Sequence, residues 1–334
     1  MNTKRIISLV ASLALVLSLS VGLTGCGDKA AQDDNQGSTD GEGTKYTVGI
    51  CQLVQHEALD AATQGFIDAL NEALPGQVKI EEKNASGDSN SCATIVNGFV
   101  SEGVDLIMAN ATAALQAAAS ATSDIPVLGT SITAYGVALD IDDFSGTVGG
   151  NVSGTSDLAD LSKQADMITE WFPETQKVGL LFCSGEPNSR YQIEEVAKNL
   201  SAKGIETKEF AFTDSNDVAS VTQSAADYAD VVYLPTDNTA ASNTEAIANI
   251  LVPAGVPAIC GEEGICSGCG VATLSISYYD LGVTTGKMAA KILTGEADIS
   301  TMPIEYTDAT PKYNPTICEE LGIQPLDGYE AIEG

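Results

Sequence analysis

The side chains in this sequence that are best suited to chemistry are hydrogen-bonding groups that follow apolar runs. Hydroxyls, amides and the free N–H groups at helix starts would bind an anionic group of a small molecule. An ammonium would need a carboxylate instead, and Asp237 is our first candidate for that role. The predicted ligand-binding residues are Gln55, Thr112, Ser131, Asn188, Ser189, Asp237, Asn238 and Tyr278. Several of them also stand where helix N-caps belong, and a cap side chain would face the same crevice.

Groups that would support catalysis are sparse, so we predict a protein that is not an enzyme and needs no cofactor. His56 is the only histidine, and no motif joins it to a serine and an acid. Cys51 and Cys183 lie near strand ends and leave open a two-thiol amino-acid racemase. They do not occupy equivalent positions in the repeat described below, which argues against that reaction.

Cysteine chemistry beyond this is limited, although the chain has eight cysteines. Cys266 and Cys269 form one CxxC pair, whereas a structural zinc site needs four ligands. We therefore predict no metal site, and a disulfide or two free thiols remain the alternatives for this pair.

The elements that must position these residues form a repeat, in which apolar strands alternate with amphipathic helices. Strands are predicted at 46–53, 78–83, 104–109 and 124–129, and again at 177–182, 207–212, 230–234 and 256–260. Continuous apolar strands between helices are typical of parallel sheets that are covered on both faces. The predicted fold class is therefore α/β, with two doubly wound parallel-sheet lobes. Ligands of such sheets bind outside the carboxyl ends of the strands, so two facing lobes would form a cleft.

The amino terminus predicts the location of the protein. Residues 1–25 are predicted to be a lipoprotein signal peptide, with Lys4 and Arg5 before an uncharged apolar stretch. This stretch leads through small residues into Cys26, the predicted site of lipidation, and residues 26–44 read as a flexible tether. A transmembrane anchor is the alternative, because the apolar stretch is just long enough to span a bilayer. We expect an extracytoplasmic protein, lipid-anchored to the outer face of the cell membrane.

The charge excludes one class of partner. The chain has 46 acidic and 15 basic residues, a net charge of −31. Such a surface repels phosphates, so we predict no nucleic-acid binding.

The sequence resembles the ABC-transporter substrate-binding family that includes tryptophan- and tyrosine-type receptors. The strings that carry the resemblance are 55–60 (QHEALD), 84–88 (NASGD), 105–107 (DLI), 150–154 (GNVSG), 186–189 (EPNS), 235–239 (PTDNT) and 278–282 (YYDLG). The resemblance covers residues 46–306 in order. One departure is the segment 261–270, GEEGICSGCG, where the family usually has a polar, often basic stretch.

This resemblance implies a type I periplasmic-binding-protein fold with hinge strands between the lobes. We expect crossings near 132–139, 272–277 and 302–306. The N-terminal lobe would comprise 45–132 and 275–300, and the C-terminal lobe 133–274 and 301–330. It also implies an importer component that binds an amino acid, of the aromatic type, and delivers it to an ABC permease and its ATPase. A receptor for a signalling partner is the alternative use of the same cleft.

Overall fold

A computed structural model of the chain describes residues 43–333. The predicted signal peptide, Cys26 and nearly all of the predicted tether lie outside the described residues. Within this range, no helix has both the length and the apolar character needed to cross a membrane.

The first sheet is entirely parallel and is built mainly from the first half of the chain. Its strands are β1 (Tyr46–Gln52), β2 (Val78–Asn84), β3 (Leu106–Asn110), β4 (Val127–Ile132), β5 (Val152–Ser156) and β11 (Glu305–Tyr306), in the spatial order β11-β5-β4-β3-β1-β2. β3 is buried along its whole length, as expected of a central strand covered on both faces. Alternate residues of the strands pack into two apolar clusters, one on each face of the sheet.

The helices of the first lobe cover these two faces. They are α1 (Glu57–Ala73), α2 (Ser89–Glu102), α3 (Thr112–Ala121), α4 (Tyr135–Ala138) and α11 (Tyr278–Leu293), with a 3₁₀ turn at Ile299–Thr301. α2 begins after Asp88, whose carboxylate accepts from the N–H groups of Asn90 and Ser91, and ends at Gly103 in the left-handed conformation. α1 and α11 pack against each other at very short range. A methyl group on Gly282 would lie 2.0 Å from the carbonyl oxygen of Ala62, so only glycine permits this approach.

The second sheet is formed by seven of the described strands, two of which pair in antiparallel orientation. They are β6 (Lys177–Cys183), β7 (Glu206–Phe212), β8 (Val231–Leu234), β9 (Ala258–Cys260), β10 (Ala272–Ser275), β12 (Thr310–Tyr313) and β13 (Glu330–Ala331), in the order β13-β12-β10-β9-β8-β6-β7. β12 runs antiparallel to β10, and the other pairs are parallel. The covering helices are α5 (Leu161–Trp171), α6 (Pro187–Ala202), α7 (Val218–Ala226), α8 (Asn238–Ala241), α9 (Thr244–Ala254), α10 (Glu263–Cys269) and α12 (Pro315–Leu321). Two apolar clusters again occupy the two faces. The predicted fold class, two α/β lobes with doubly wound and mostly parallel sheets, is confirmed.

The chain passes between the sheets after β5, after β10 and between β11 and β12. The first crossing differs from the one predicted near 132–139. β5 pairs with β4 in the first sheet, so residues 133–156 belong there and not to the C-terminal lobe. The boundary was misplaced because β5, although buried, is composed mostly of small and polar residues and does not read as a strand. Likewise, the first part of the predicted range 301–330 contributes β11 to the first sheet.

Candidate ligand-binding site

A small cavity lies where the carboxyl ends of strands from the two sheets face each other. Its volume is about 10 Å³, enough for roughly one water molecule, so the two lobes are closed on each other. The cavity is lined by His56, Leu59, Ser131, Thr133, Asp157, Asn188, Thr236, Asp237, Asn238, Ala241, Glu262 and Tyr278. These residues come from both lobes, as the strand-end rule predicts for open α/β sheets.

The end of β4 presents a hydroxyl to the cavity from the first lobe. The pairing of β4 with β5 shifts register between Gly129 and Ile132, and Ser131 in this irregular stretch has φ of 57°. Such bulges re-aim a side chain, and left-handed backbone at a non-glycine residue costs about 1–3 kcal/mol. Ser131 is buried, and its hydroxyl has no hydrogen-bond partner among residues 43–333. It is therefore available to a ligand.

Asp157 presents a carboxyl beside it, directly after β5 at the first crossing. Its Oδ2 accepts a hydrogen bond of 2.9 Å from the Tyr278 hydroxyl. Its Oδ1 is buried and has no hydrogen-bond partner in the described chain. Burial raises the pKa of Asp157, and the Tyr278 and Thr133 hydroxyls offset part of that rise. An acceptor held this way needs a donor from the ligand, because an unpartnered buried carboxylate oxygen is costly.

Asp237 lies on the opposite wall, but both of its oxygens are engaged by the backbone. Oδ1 accepts from the Ala240 N–H at 2.8 Å and so caps α8, and Oδ2 accepts from the Cys183 N–H at 2.6 Å. Burial and the nearby Glu186 raise the pKa of Asp237 to about 8. The predicted carboxylate therefore ties α8 to the end of β6 at the edge of the cavity.

Glu186 stabilises the same wall through hydrogen bonds to the start of α8. Its two oxygens accept from the backbone N–H groups of Asn238 and Thr239 at 2.9 and 2.8 Å, and from both side chains. This arrangement holds the start of α8 against the start of α6. The Asn188 amide extends it by donating to the Thr236 carbonyl at 3.1 Å.

Glu262 supplies a third buried carboxyl on the cavity wall. It follows β9 and caps α10 by accepting from the N–H groups of Gly264 and Ile265. Burial raises the pKa of Glu262 to about 7. It belongs to the segment 261–270, for which the sequence analysis predicts a departure from the family.

His56 and Asn238 connect the two lobes directly across the cleft. The imidazole Nε2 lies 3.3 Å from Asn238 Oδ1, which requires the neutral ring to carry its proton on Nε2. Burial lowers the pKa of His56, which favours this neutral form. The contact closes one side of the cavity.

The structure brings together most of the predicted site residues. Ser131, Asn188, Asp237, Asn238 and Tyr278 line the cavity. Thr112 and Ser189 are buried at the starts of α3 and α6 without lining it, and Gln55 is exposed at the rim. Their contact with a ligand stays a prediction.

Asp157 and Glu262 line the cavity but are not among the predicted site residues. Asp157 directly follows β5, whose small and polar residues do not predict a strand, and Glu262 lies two residues after β9 in the segment 261–270. A polar residue near a strand end is the signal for both, but it does not show which side chain faces the cavity. The seven cysteines among the described residues, including Cys266 and Cys269, are buried free thiols, and none lines the cavity. Within the same range, no group of histidine, cysteine and acidic side chains is arranged to hold a metal ion.

Comparison with known proteins places this geometry in a family. The chain matches the family model described as ABC transporter substrate binding protein over residues 47–328. A relative described as a tyrosine-binding protein of Clostridioides difficile (strain R20291) is 33% identical over 319 residues, which cover 92% of this chain and 89% of the relative.

Solved structures of related proteins share both lobes. The ABC domain in complex with L-Trp from Streptococcus pneumoniae is 31% identical with a TM-score of 0.82, over 86% of this chain and 100% of that one. The ligand-free, open structure of a substrate-binding protein with adhesive properties from Clostridium difficile is 32% identical with a TM-score of 0.66, over 86% and 99%. At nearly equal identity, the higher similarity to the L-Trp complex agrees with the closed cleft. Since the family match spans both lobes and the cavity between them, this chain belongs to the ABC transporter substrate-binding protein family.

Proposed function

We propose that this protein is the lipid-anchored, extracytoplasmic substrate-binding component of an ABC importer, and that its ligand is an aromatic amino acid. The family supports a role beside a permease and an ATPase. The relatives that bind tyrosine and L-Trp support the ligand class. Lipid on Cys26 would anchor the protein to the membrane beside the permease.

The observation that carries the ligand proposal is the pair of unpartnered buried groups, Asp157 Oδ1 and Ser131 Oγ. An amino acid supplies the complementary groups, since its ammonium donates to Asp157 and its carboxylate accepts from Ser131. Leu59, Ala241 and Tyr278 provide apolar and aromatic surface on the same cavity walls. These contacts match the chemistry of an aromatic amino acid without requiring any reaction.

The closed cavity is far smaller than such a ligand, so binding requires the lobes to open and then close around it. Closure of this kind is the usual response of two-lobed receptors, and the closed shape is the one a permease would recognise. A racemase role is disfavoured because neither Cys51 nor Cys183 lines the cavity. The relatives are binding proteins, which also favours a role without catalysis.

Isothermal titration of the purified protein against the twenty amino acids tests the proposal. We expect tyrosine or tryptophan to bind most tightly. Asp157→Asn should weaken binding at least about 30-fold, because truncating one side of a buried charged contact costs about 2–5 kcal/mol. Asp142→Asn, an exposed change in the same lobe, is the matched control and should bind like the wild type.

Two results would contradict the proposal. Absence of binding across the whole panel would remove the amino-acid ligand. Unchanged affinity in Asp157→Asn would remove Asp157 as the partner of the ammonium.

A further inference from the structure

The charged groups that line the closed cavity are nearly all acidic. Asp157 stands at the end of the first sheet, and Asp237 and Glu262 face it from the second lobe. All three are buried, with at most 4% of their surface exposed. No lysine or arginine lines this cavity among residues 43–333.

Further acidic groups surround these three carboxyls. Glu57 of the first lobe acts electrostatically on Glu262, and Glu186 of the second lobe acts on Asp237. Asp60 and Glu186 both lie within electrostatic range of His56. Opposing walls therefore carry charge of the same sign.

Basic side chains near the cavity do not compensate for this charge. His56 is held neutral, because burial lowers its pKa. Lys312 lines a neighbouring groove that Glu57 and Glu262 also line, and its ammonium pairs there with Glu263 at 2.8 Å. Tyr278 contacts Asp157 but carries no charge at neutral pH.

Closing the lobes brings these carboxyls together and removes them from water. Both effects oppose ionisation, since like charges repel and a low-dielectric surrounding penalises each charge. Backbone N–H groups offset part of the cost at Asp237 and Glu262, whereas Asp157 Oδ1 has no such partner. The raised pKa values of Asp157 and Glu262 agree with a closed state that disfavours their charges, since burial raises both and Glu57 and Asp157 of the first lobe also raise that of Glu262.

We propose that carboxyls facing each other across the cleft hold the unliganded receptor open, and that a ligand ammonium closes it by neutralising them. The ligand class is therefore restricted to molecules that bring an ammonium group into the cleft. Deaminated analogues of the same shape should fail to produce closure. Glu262 then helps to select ligands that carry an ammonium, in addition to capping α10. The amino-acid ligand comes from the proposed function, but the charge opposition is a property of the chain alone.

The first experiment needs no ligand. Small-angle scattering would measure the radius of gyration of the unliganded wild type, Asp157→Asn and Glu262→Gln at neutral pH. Glu319→Gln, an exposed change on α12, removes the same charge from the second lobe outside the cleft. We expect both cleft variants to become more compact than the wild type, and the control to remain unchanged.

An unliganded wild type that is already closed would overturn the proposal. So would folded cleft variants, verified by calorimetry, whose radius of gyration equals that of the wild type. The use of two variants guards against one of them failing to fold.

The second experiment compares two analogues on the wild type. Tyramine keeps the ammonium and lacks the carboxylate, whereas 3-(4-hydroxyphenyl)propionate keeps the carboxylate and lacks the ammonium. We expect tyramine to reduce the radius of gyration and the propionate to leave it unchanged. The proposal would be contradicted if the propionate closed the lobes, or if tyramine bound without closing them. If tyrosine, tryptophan and tyramine all fail to bind, the amino-acid ligand is wrong, while the unliganded comparison still decides the charge opposition.

Discussion

At the scale of single residues, the cleft combines groups that are satisfied by the protein with a few that are not. Asp237 and Glu262 serve as helix caps and line the cavity at the same time. Asp157 Oδ1 and Ser131 Oγ differ, because the described chain gives them no partner. Asn110, Trp171 and Thr273 also have an unpartnered buried polar atom, but of these five residues only Ser131 and Asp157 line the cavity. The combination of a missing partner and a position on the cavity wall therefore indicates the binding site, since a purely structural polar group is normally paired.

Ser131 offers a test of whether its strained backbone serves binding. Ser131→Gly should bind the ligand about fivefold more weakly, because a hydrogen bond of about 1 kcal/mol is lost. It should be at least as stable as the wild type, because glycine adopts the positive φ of 57° without steric cost. Ser131→Ala should lose the same affinity without that compensation. Titration calorimetry and thermal unfolding separate the two effects, and a Ser131→Gly protein clearly less stable than Ser131→Ala would show that the backbone is not strained.

At the scale of elements, the packing of α1 on α11 depends on glycine. A methyl group at position 282 would meet the Ala62 carbonyl at 2.0 Å and the Phe66 N–H at 2.9 Å. Gly282→Ala should therefore lower the free energy of unfolding by about 1–3 kcal/mol or more, as overpacking does.

Gly98 on α2 is the matched control for this substitution. No atom lies within 4 Å of a methyl group at that position, so Gly98→Ala should stabilise the protein by about 0.5–1 kcal/mol through helix propensity. Denaturant unfolding measures both variants. Equal effects of the two alanines would mean that the helices do not approach as closely as described.

The elements also show what the sequence could and could not predict. Strands such as β3 and β8 were predicted because long apolar runs are needed wherever a sheet is covered on both faces. β5 was missed because small polar residues such as Ser153 and Thr155 are buried by hydrogen bonds rather than by apolar character. That omission misplaced the first crossing and hid Asp157. Glu262 was missed because only a structure shows which cap side chains face the cavity.

At the scale of the whole molecule, the opposed carboxyls make the opening of the lobes depend on pH. In the closed state the pKa of Glu262 is about 7 against an ordinary value of 4.5, and Glu57 and Asp157 of the first lobe contribute to the rise. The rise of the Asp237 pKa to about 8 comes from burial and from Glu186 of its own lobe. Groups with raised pKa values favour the closed state at low pH and lose that contribution as pH rises through the raised values. His56 keeps its neutral form over the upper part of this range, since its pKa is lowered from 6.5.

We therefore expect the unliganded protein to become more compact as pH falls from about 8 to about 6.5. An amine ligand reverses the dependence, because its ammonium favours the ionised carboxylates. The affinity for the ligand should therefore rise as the pH increases from about 6.5 to about 8. Scattering and titration at several pH values would measure the two trends. A Glu262→Gln protein with the full wild-type dependence would show that other groups are responsible.

The repeated crossing of the chain between the sheets has a consequence for biosynthesis. The first sheet receives β11 and the second receives β12 and β13 from the last tenth of the chain. A ribosome that has translated only the preceding residues has therefore produced a first sheet without its edge strand and a second sheet without its last two strands. Neither lobe can finish folding early, although domains usually fold in order during synthesis. A nascent chain of this topology therefore completes both sheets only after its last tenth has been synthesised, so the two lobes reach their final structure together.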